Sequence, residues 1–167
     1  MNSNLLVKFT VSYFGVGFLR PFPGTIGTAA AAGTYLLAGH FLPAYRPWIC
    51  VIGVSLSCLL AMTIGKNAEQ VFGKKDPSPF VLDEVAGFFV TIFPATFITP
   101  GTDYYQWGMV AAGFVAFRIF DIGKFWGARK LEAFPGSLGI MLDDLLAGVY
   151  SSVFVFVSVL IAKTYWT

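Results

Sequence analysis

The sequence predicts an all-α membrane protein, a polytopic bundle of about five membrane-embedded helices preceded by an N-terminal interfacial segment. Two observations predict this fold. Of the 167 residues, 56% are hydrophobic and only 12% are charged, whereas ordinary soluble domains carry roughly a quarter charged residues. The apolar residues also form long runs that approach the roughly 20 residues needed to cross a bilayer. Short connectors separate these runs, so we expect a single domain over residues 1–167.

The elements follow in order from the apolar runs and the breaks between them. Residues 1–20 predict a short interfacial segment, because Ser12, Gly15 and Gly17 interrupt its apolar pattern. A turn rich in Pro and Gly follows at 20–24. The predicted membrane helices then cover about Thr25–Phe41, Trp48–Gly65, Phe80–Ile98, Trp107–Asp121 and Leu138–Ala162. Loops or polar connectors are expected at 40–47, 66–77, 99–106 and 129–136.

The basic residues predict how these helices are oriented. If the connectors near 66–79 and 122–137 face the cytoplasm, nine of the 11 Lys and Arg residues lie on that side, and only Arg46 and Lys163 lie on the other. Such an excess follows the positive-inside rule. The nine are Lys8, Arg20, Lys66, Lys74, Lys75, Arg118, Lys124, Arg129 and Lys130. We therefore expect a multi-pass membrane protein with this orientation.

Composition and single residues exclude several classes of function. The net charge of +2 and the lack of a basic stripe among the aromatic residues argue against nucleic-acid binding. Cys50 and Cys58 lie in one apolar run, so they cannot form a disulfide along a single helix. His40, the only histidine, is expected on the side opposite the acids, where it could not serve as their general base.

Five of the nine acids border long apolar segments, and with the predicted orientation all five lie at the cytoplasmic ends of their helices. They are Asp83, Glu84, Asp121, Asp143 and Asp144. A charged side chain in the middle of a bilayer costs about 2.5–3.5 kcal/mol on insertion scales. A single acid could simply complement the dipole at a helix N-terminus. Repulsion among five carboxylates on one face instead favours a bound cation such as Mg²⁺, which prefers oxygen ligands.

Cations near these acids have two possible roles. Arg118 and Asp121 are three residues apart and could form an ion pair on one helix face. Alternatively Asp121 binds the metal, while Arg118 and Lys124 bind a phosphate, whose oxygens match the guanidinium group. Arg20 could likewise anchor the topology or bind a phosphate.

The pattern Phe-Pro-Gly-(Thr/Ser)-x-Gly occurs twice, at 22–27 and at 134–139, each time before a predicted helix. An internal duplication and two independent uses of one capping motif both explain the repeated pattern. Thr25 could cap its helix, and the exposed N–H groups of such a turn would form an anion site. Gly87 and Gly148 each follow an acid by four residues, a position that favours close helix packing.

Together these segments resemble the phosphatidylglycerophosphatase A family. The resemblance rests on four motifs in order along most of the chain: 20–27, 83–87, 117–121 with Lys124, and 139–148. It implies an inner-membrane, Mg²⁺-dependent lipid phosphatase that converts phosphatidylglycerophosphate to phosphatidylglycerol and inorganic phosphate.

The implied mechanism assigns the five acids to Mg²⁺ ligands and one general base. Arg118, Lys124, Arg20 and Thr25 would bind the substrate phosphate, and a water would attack it; an aspartyl-phosphate intermediate is the alternative. The active site would face the cytoplasm, and the phospholipid substrate would remain in the bilayer.

Three rival classes fit less well. A cation or proton transporter would place acids near mid-membrane and on both sides. A CDP-alcohol phosphotransferase would space its aspartates four residues apart, whereas Asp143 and Asp144 are adjacent. A purely structural subunit has no need of five acids on one face. The sequence does not indicate an oligomeric state.

Overall fold

The computed structural model describes residues 3–75, 77–124, 131 and 137–165, and within these ranges it contains helices and turns but no strand. The predicted all-α class is confirmed. The six described helices are α1 (Ser3–Val11), α2 (Pro23–Phe41), α3 (Arg46–Phe72), α4 (Leu82–Ile92), α5 (Asp103–Gly123) and α6 (Ser137–Lys163). Short 3₁₀ turns lie at Val16–Phe18, Pro43–Tyr45 and Pro94–Phe97.

Helix α3 is longer than the predicted span and includes half of the predicted polar connector. Lys66, Glu69 and Gln70 are polar but are good helix formers, so the helix continues through them to Phe72. Gly73 then ends it in the left-handed conformation, with φ of 66° and its N–H bonded to the Glu69 carbonyl. Glycine adopts this conformation without steric cost.

Helix α4 is shorter than the predicted span, which extends to Ile98. It ends at Ile92 and is followed by a 3₁₀ turn from Pro94, because proline lacks the N–H that would continue the α-helix. Its 11 residues extend about 16 Å at 1.5 Å per residue. That length cannot cross a hydrocarbon core of about 30 Å.

Two segments combine the length and apolar composition needed to cross a membrane, among the residues that the structure describes. They are Pro43–Phe72, with a mean hydropathy of 2.1, and Leu138–Lys163, with 2.3. Both fit membrane association. The five embedded helices predicted from sequence are therefore not confirmed, and the interfacial role of residues 1–20 stays a prediction.

The ends of α2 and α5 also differ from prediction. Helix α2 begins at Pro23 with Phe22 in the capping position, so Thr25 lies inside its first turn; the prediction that Thr25 caps the helix is wrong. Helix α5 begins at Asp103, inside a segment predicted to be a turn. The predicted connector at 129–136 and the second Phe-Pro-Gly copy lie outside the described residues, apart from position 131 and from Ser137 onward.

Helix α4 forms the centre of the bundle, since nine of its 11 residues are buried. It packs against α2, α3, α5 and α6. Its two phenylalanines, Phe88 and Phe89, join Tyr35 of α2, Phe117 of α5 and Val155 of α6 in the main apolar core. A helix buried on nearly all sides holds its first turn, and hence Asp83 and Glu84, in a fixed position.

Helices α4 and α6 cross with their backbones in contact at two glycines. A Cβ atom at Gly148 would lie 2.5 Å from the Gly87 carbonyl oxygen, and one at Gly87 would lie 2.7 Å from the Asp144 carbonyl oxygen. Thr91 lies beside them, and its hydroxyl donates a hydrogen bond to the Gly87 carbonyl at 2.9 Å. The prediction that both glycines serve helix packing is confirmed.

We expect Gly148→Ala to destabilise the protein although alanine normally favours helices. The added methyl group would meet a backbone carbonyl that cannot rotate away, and overpacking of this kind costs about 1–3 kcal/mol. Denaturant unfolding in detergent micelles measures the change.

Gly108→Ala is the matched control, because Gly108 lies in α5 with no neighbouring atom within 4 Å of the position that the added methyl group would take. Its stability should equal or exceed that of wild type by up to about 1 kcal/mol. Equal stability of the two variants would refute a tight crossing.

Candidate active site

Four acids of the candidate site come from the crossing of α4 and α6. Asp83 and Glu84 occupy the first turn of α4, and Asp143 and Asp144 lie in the second turn of α6. Gly87 follows Asp83 by one turn and Gly148 follows Asp144 by one turn, so the contact between these glycines brings the two pairs of acids together. Asp83, Asp143 and Asp144 are each no more than 6% exposed.

Helices α5 and α2 complete the site. Asp121 and Lys124 lie at the end of α5. Gly24 lies in the first turn of α2, where a Cβ atom would collide with the Glu84 Oε1 atom and lie 3.5 Å from Arg118 Nη1. Glycine at this position lets α2 approach the acids.

These residues surround a cavity of about 270 Å³, which we call the acid cavity. All five predicted acids line it, so the predicted convergence of sequence-distant acids on one site is confirmed. The lining consists of Pro23, Gly24, Lys74, Ser78, Phe80, Asp83, Glu84, Asp121, Lys124, Ile140, Asp143 and Asp144.

Three of the acids fit a divalent metal ion. One carboxylate oxygen from each of Asp83, Glu84 and Asp144 lies within 4.8 Å of the other two, and hard cations such as Mg²⁺ take oxygen ligands of this type. The Glu84 Oε2 atom is also buried without a hydrogen-bond partner in the described part of the chain. Because an unpaired buried carboxylate is costly, this orphaned oxygen supports a bound cation.

The other two acids are held by cations. Lys124 Nζ donates a hydrogen bond to Asp143 Oδ2 at 2.6 Å, and Arg118 Nη1 lies 2.8 Å from Asp121 Oδ2. The Arg118 pair is close, but its angle is not that of a hydrogen bond, so we describe it as an ion pair only. Of the two alternatives considered for these residues, the ion pair between Arg118 and Asp121 is present. Asp121 and Asp143 lie outside the group of three, and their predicted role as metal ligands stays a prediction.

The other two predicted phosphate ligands, Thr25 and Arg20, do not line the acid cavity. Thr25 is half-buried in α2 and lines neither this cavity nor the next. Arg20 is exposed and lines an adjoining cavity of about 650 Å³. The predicted phosphate-binding roles of Arg20, Thr25, Arg118 and Lys124 are not tested by these positions.

Sequence reasoning missed Lys74 and Ser78, which line both cavities. In the sequence, Lys74 contributes only to the prediction of topology. Its position directly after the Gly73 helix end is a usable clue, because the helix dipole favours a cation at a helix C-terminus.

A second polar cluster lies at the far end of α2. His40 Nδ1 is 3.2 Å from Asp103 Oδ2, and Arg46 donates to the Gly101 carbonyl at 2.8 Å. Residues 24 and 40 are about 24 Å apart along a helix with a rise of 1.5 Å. The prediction that His40 lies away from the acids is confirmed.

We expect Lys124→Gln to destabilise the protein by about 1–3 kcal/mol, because it leaves the buried Asp143 carboxylate without its donor. The double variant Lys124→Gln/Asp143→Asn should recover part of the loss, since it removes both charges together. Denaturant unfolding of the two single variants and the double variant measures the coupling. Strictly additive effects would show that the pair contributes nothing.

The bundle, the two long apolar helices and the acid cavity define a helical, membrane-associated protein with a carboxylate site suited to a divalent cation. The family model described as "Phosphatidylglycerophosphatase A" matches residues 9–159. The chain belongs to this family.

Several curated proteins are similar over most of their length. A Bacteroides thetaiotaomicron protein named "Putative phosphatidylinositol-3-phosphatase" is 37% identical over 87% of this chain and 88% of its own. The Escherichia coli "Phosphatidylglycerophosphatase A" is 33% identical over 83% of this chain and 75% of its own. The Haemophilus influenzae protein of that name is 32% identical over 92% and 85%. No solved structure matches the chain.

Proposed function

We propose that this protein is a Mg²⁺-dependent lipid phosphatase that hydrolyses phosphatidylglycerophosphate to phosphatidylglycerol and inorganic phosphate. The reaction would serve the synthesis of phosphatidylglycerol and of the cardiolipin made from it. The observation that carries the proposal is the acid cavity, where five acids and Lys124 from three helices meet. Membership of the phosphatidylglycerophosphatase A family and two relatives with that name support the choice of substrate.

Asp83, Glu84 and Asp144 would hold the metal ion, because their oxygens are grouped and one is unsatisfied. Mg²⁺ bound there would supply Lewis-acid stabilisation of the phosphate oxygens. The pairing of Asp121 with Arg118 and of Asp143 with Lys124 holds these two carboxylates in place at the cavity wall. Each can therefore complete the ligand set or accept a proton.

Hydrolysis needs a proton acceptor, a charge-neutralising group and an in-line path. A carboxylate of the acid cavity takes the proton from the attacking water. The bond from phosphorus to the glycerol oxygen breaks as that oxygen takes up a proton from solvent, to which the carboxyl group afterwards releases the proton that it accepted. Lys124 and Arg118 neutralise the phosphate oxygens as charge shifts toward the leaving group. Direct attack by an aspartate, giving an aspartyl-phosphate that water then cleaves, is the alternative route within the same cavity.

The membrane setting follows from the apolar helices and the charge distribution. We propose a multi-pass protein of the bacterial inner membrane with its acid cavity at the cytoplasmic face. The two long apolar helices and the excess of basic residues expected on that side support this orientation. A lipid headgroup could then reach the cavity while its acyl chains stay in the leaflet.

The transporter alternative is not favoured. An ion relay would need ionisable groups along the bundle, but residues 145–162 of α6 contain no charged residue. The polar side chains buried between the two ends, such as Thr28, Thr91 and Ser151, carry no charge. In the described part of the chain, the acid nearest the far end is Asp103, which already contacts His40 and Arg46.

A second class of substrate should be tested in the same phosphate-release assay, because the Bacteroides relative is named a phosphatidylinositol-3-phosphatase. Both lipids carry a phosphomonoester on a polyol headgroup. Comparing kcat/KM for the two lipids in matched micelles assigns the headgroup. If kcat/KM is higher for the inositol lipid, that lipid is the substrate and the glycerol lipid is not.

We expect Mg²⁺ to raise the Tm of the wild-type protein and to be required for phosphate release from phosphatidylglycerophosphate. A free concentration 100-fold above Kd stabilises the folded state by about 2.7 kcal/mol. Asp144→Asn should abolish the Tm shift and lower the rate by at least about 100-fold, as loss of a ligand to the ion requires.

Asp103→Asn is the matched control, because Asp103 lies at the other end of the bundle. It should keep both the Mg²⁺-induced Tm shift and the wild-type rate. Phosphate release that persists in EDTA, or in Asp144→Asn, would contradict the metal-dependent phosphatase.

A further inference from the structure

The cavity next to the acid cavity differs from it in charge. We call it the basic cavity; it has a volume of about 650 Å³. Its lining consists of Gly17, Phe18, Arg20, Pro21, Pro23, Phe72, Lys74, Pro77, Ser78 and Pro79. Among these described residues there are two cations and no acid. The basic cavity is therefore suited to an anion.

The two cavities share one wall. Pro23, Lys74 and Ser78 line both of them, so a molecule that occupies the acid cavity can extend past Lys74 into the basic cavity without leaving the protein surface. The phosphomonoester in the acid cavity and a second anionic group in the basic cavity would then belong to one ligand.

Within the part of the chain that the structure describes, Arg20 and Lys74 differ from the cations of the acid cavity in having no ion-pair partner. Arg118 and Lys124 are paired with aspartates. Among the described residues, neither Arg20 nor Lys74 makes a side-chain ion pair or hydrogen bond, and both side chains are exposed. Two cations that no described residue neutralises, beside the proposed site of the phosphomonoester, favour a second phosphate as their ligand.

The walls of the basic cavity are fixed by backbone contacts. A Cβ atom at Gly17 would collide with the Pro79 carbonyl oxygen, and the Val81 N–H donates to the Val11 carbonyl at 3.0 Å. These contacts tie the segment that carries Arg20 to the segment that carries Lys74. A preformed pair of cations binds an anion with less loss of conformational entropy.

We propose that Arg20 and Lys74 bind the phosphodiester of the substrate lipid and so select lipids whose phosphomonoester is carried on a phosphodiester-linked headgroup. This inference rests on the proposed function. In phosphatidylglycerophosphate one glycerol unit separates the two phosphates, which matches two adjoining cavities. Phe18 and Phe72, whose ring centroids are 6.2 Å apart, provide an apolar wall for the diacylglycerol end.

The first test measures KM and kcat for phosphatidylglycerophosphate in uncharged micelles. Arg20→Gln and Lys74→Gln should each raise KM about tenfold, the change that corresponds to about 1.4 kcal/mol, and should change kcat by less than about twofold. Lys75→Gln is the matched control, because it removes the same charge from the neighbouring residue, which lines neither cavity. Its KM should stay at the wild-type value.

The second test measures binding without turnover. Phosphatidylglycerol, which has the phosphodiester but no phosphomonoester, is titrated into the protein in uncharged micelles. A separate control titration uses oleate instead, to match the surface charge. Wild type should bind phosphatidylglycerol more tightly than oleate, and Arg20→Gln and Lys74→Gln should lose that preference. Equal binding of the two lipids by wild type would show general attraction to anionic surfaces and would overturn the inference.

The outcomes separate this inference from the proposed function. If wild type requires Mg²⁺ to release phosphate but both variants keep the wild-type KM and the preference for phosphatidylglycerol, only the diester assignment fails. If wild type releases no phosphate, the proposed function fails, and the binding titration still decides whether Arg20 and Lys74 recognise a phosphodiester. An unchanged Mg²⁺-induced Tm shift in both variants shows that their acid cavity is intact.

Discussion

The contact between Gly87 and Gly148 is the constraint on which the rest of the structure depends. Each glycine lies one turn beyond an acid, so backbone contact between α4 and α6 brings carboxylates from separate helices within range of one ion. Any larger side chain at the crossing would force the helices apart and disperse the acids. Because the carboxylates repel one another, the apolar core that contains Phe88 of α4 and Phe117 of α5 must hold them together.

The ion pairs divide the five acids into two groups. Asp121 and Asp143 have Arg118 and Lys124 as counter-charges, whereas Asp83, Glu84 and Asp144 each bring one oxygen within 4.8 Å of the others. Negative charge is therefore concentrated at the meeting point of three oxygens rather than spread over the cavity. A small divalent cation balances such a group better than a lysine would, since it can contact several carboxylates at once.

Much of this arrangement could be predicted from sequence. Apolar run lengths predicted the helices, and the positions of Asp83, Asp121 and Asp144 at run ends predicted their convergence. The sequence could not show which acids pair with a cation and which group around an ion. Adjacent residues such as Asp143 and Asp144 point about 100° apart on a helix, and only the packing of α5 decides which of them contacts Lys124. Run length also failed at α3, where helix-forming polar residues extend the helix beyond its apolar part.

The extra length of α3 has a geometric consequence. Its 27 residues extend about 40 Å, roughly 10 Å more than the hydrocarbon core of a bilayer. A helix that crosses the bilayer from Arg46 would therefore carry Gly73 and Lys74 out to the depth of the lipid headgroups. In this orientation α3 would act as a rigid spacer, and deleting one of its turns would draw Lys74 about 5 Å toward the acyl chains.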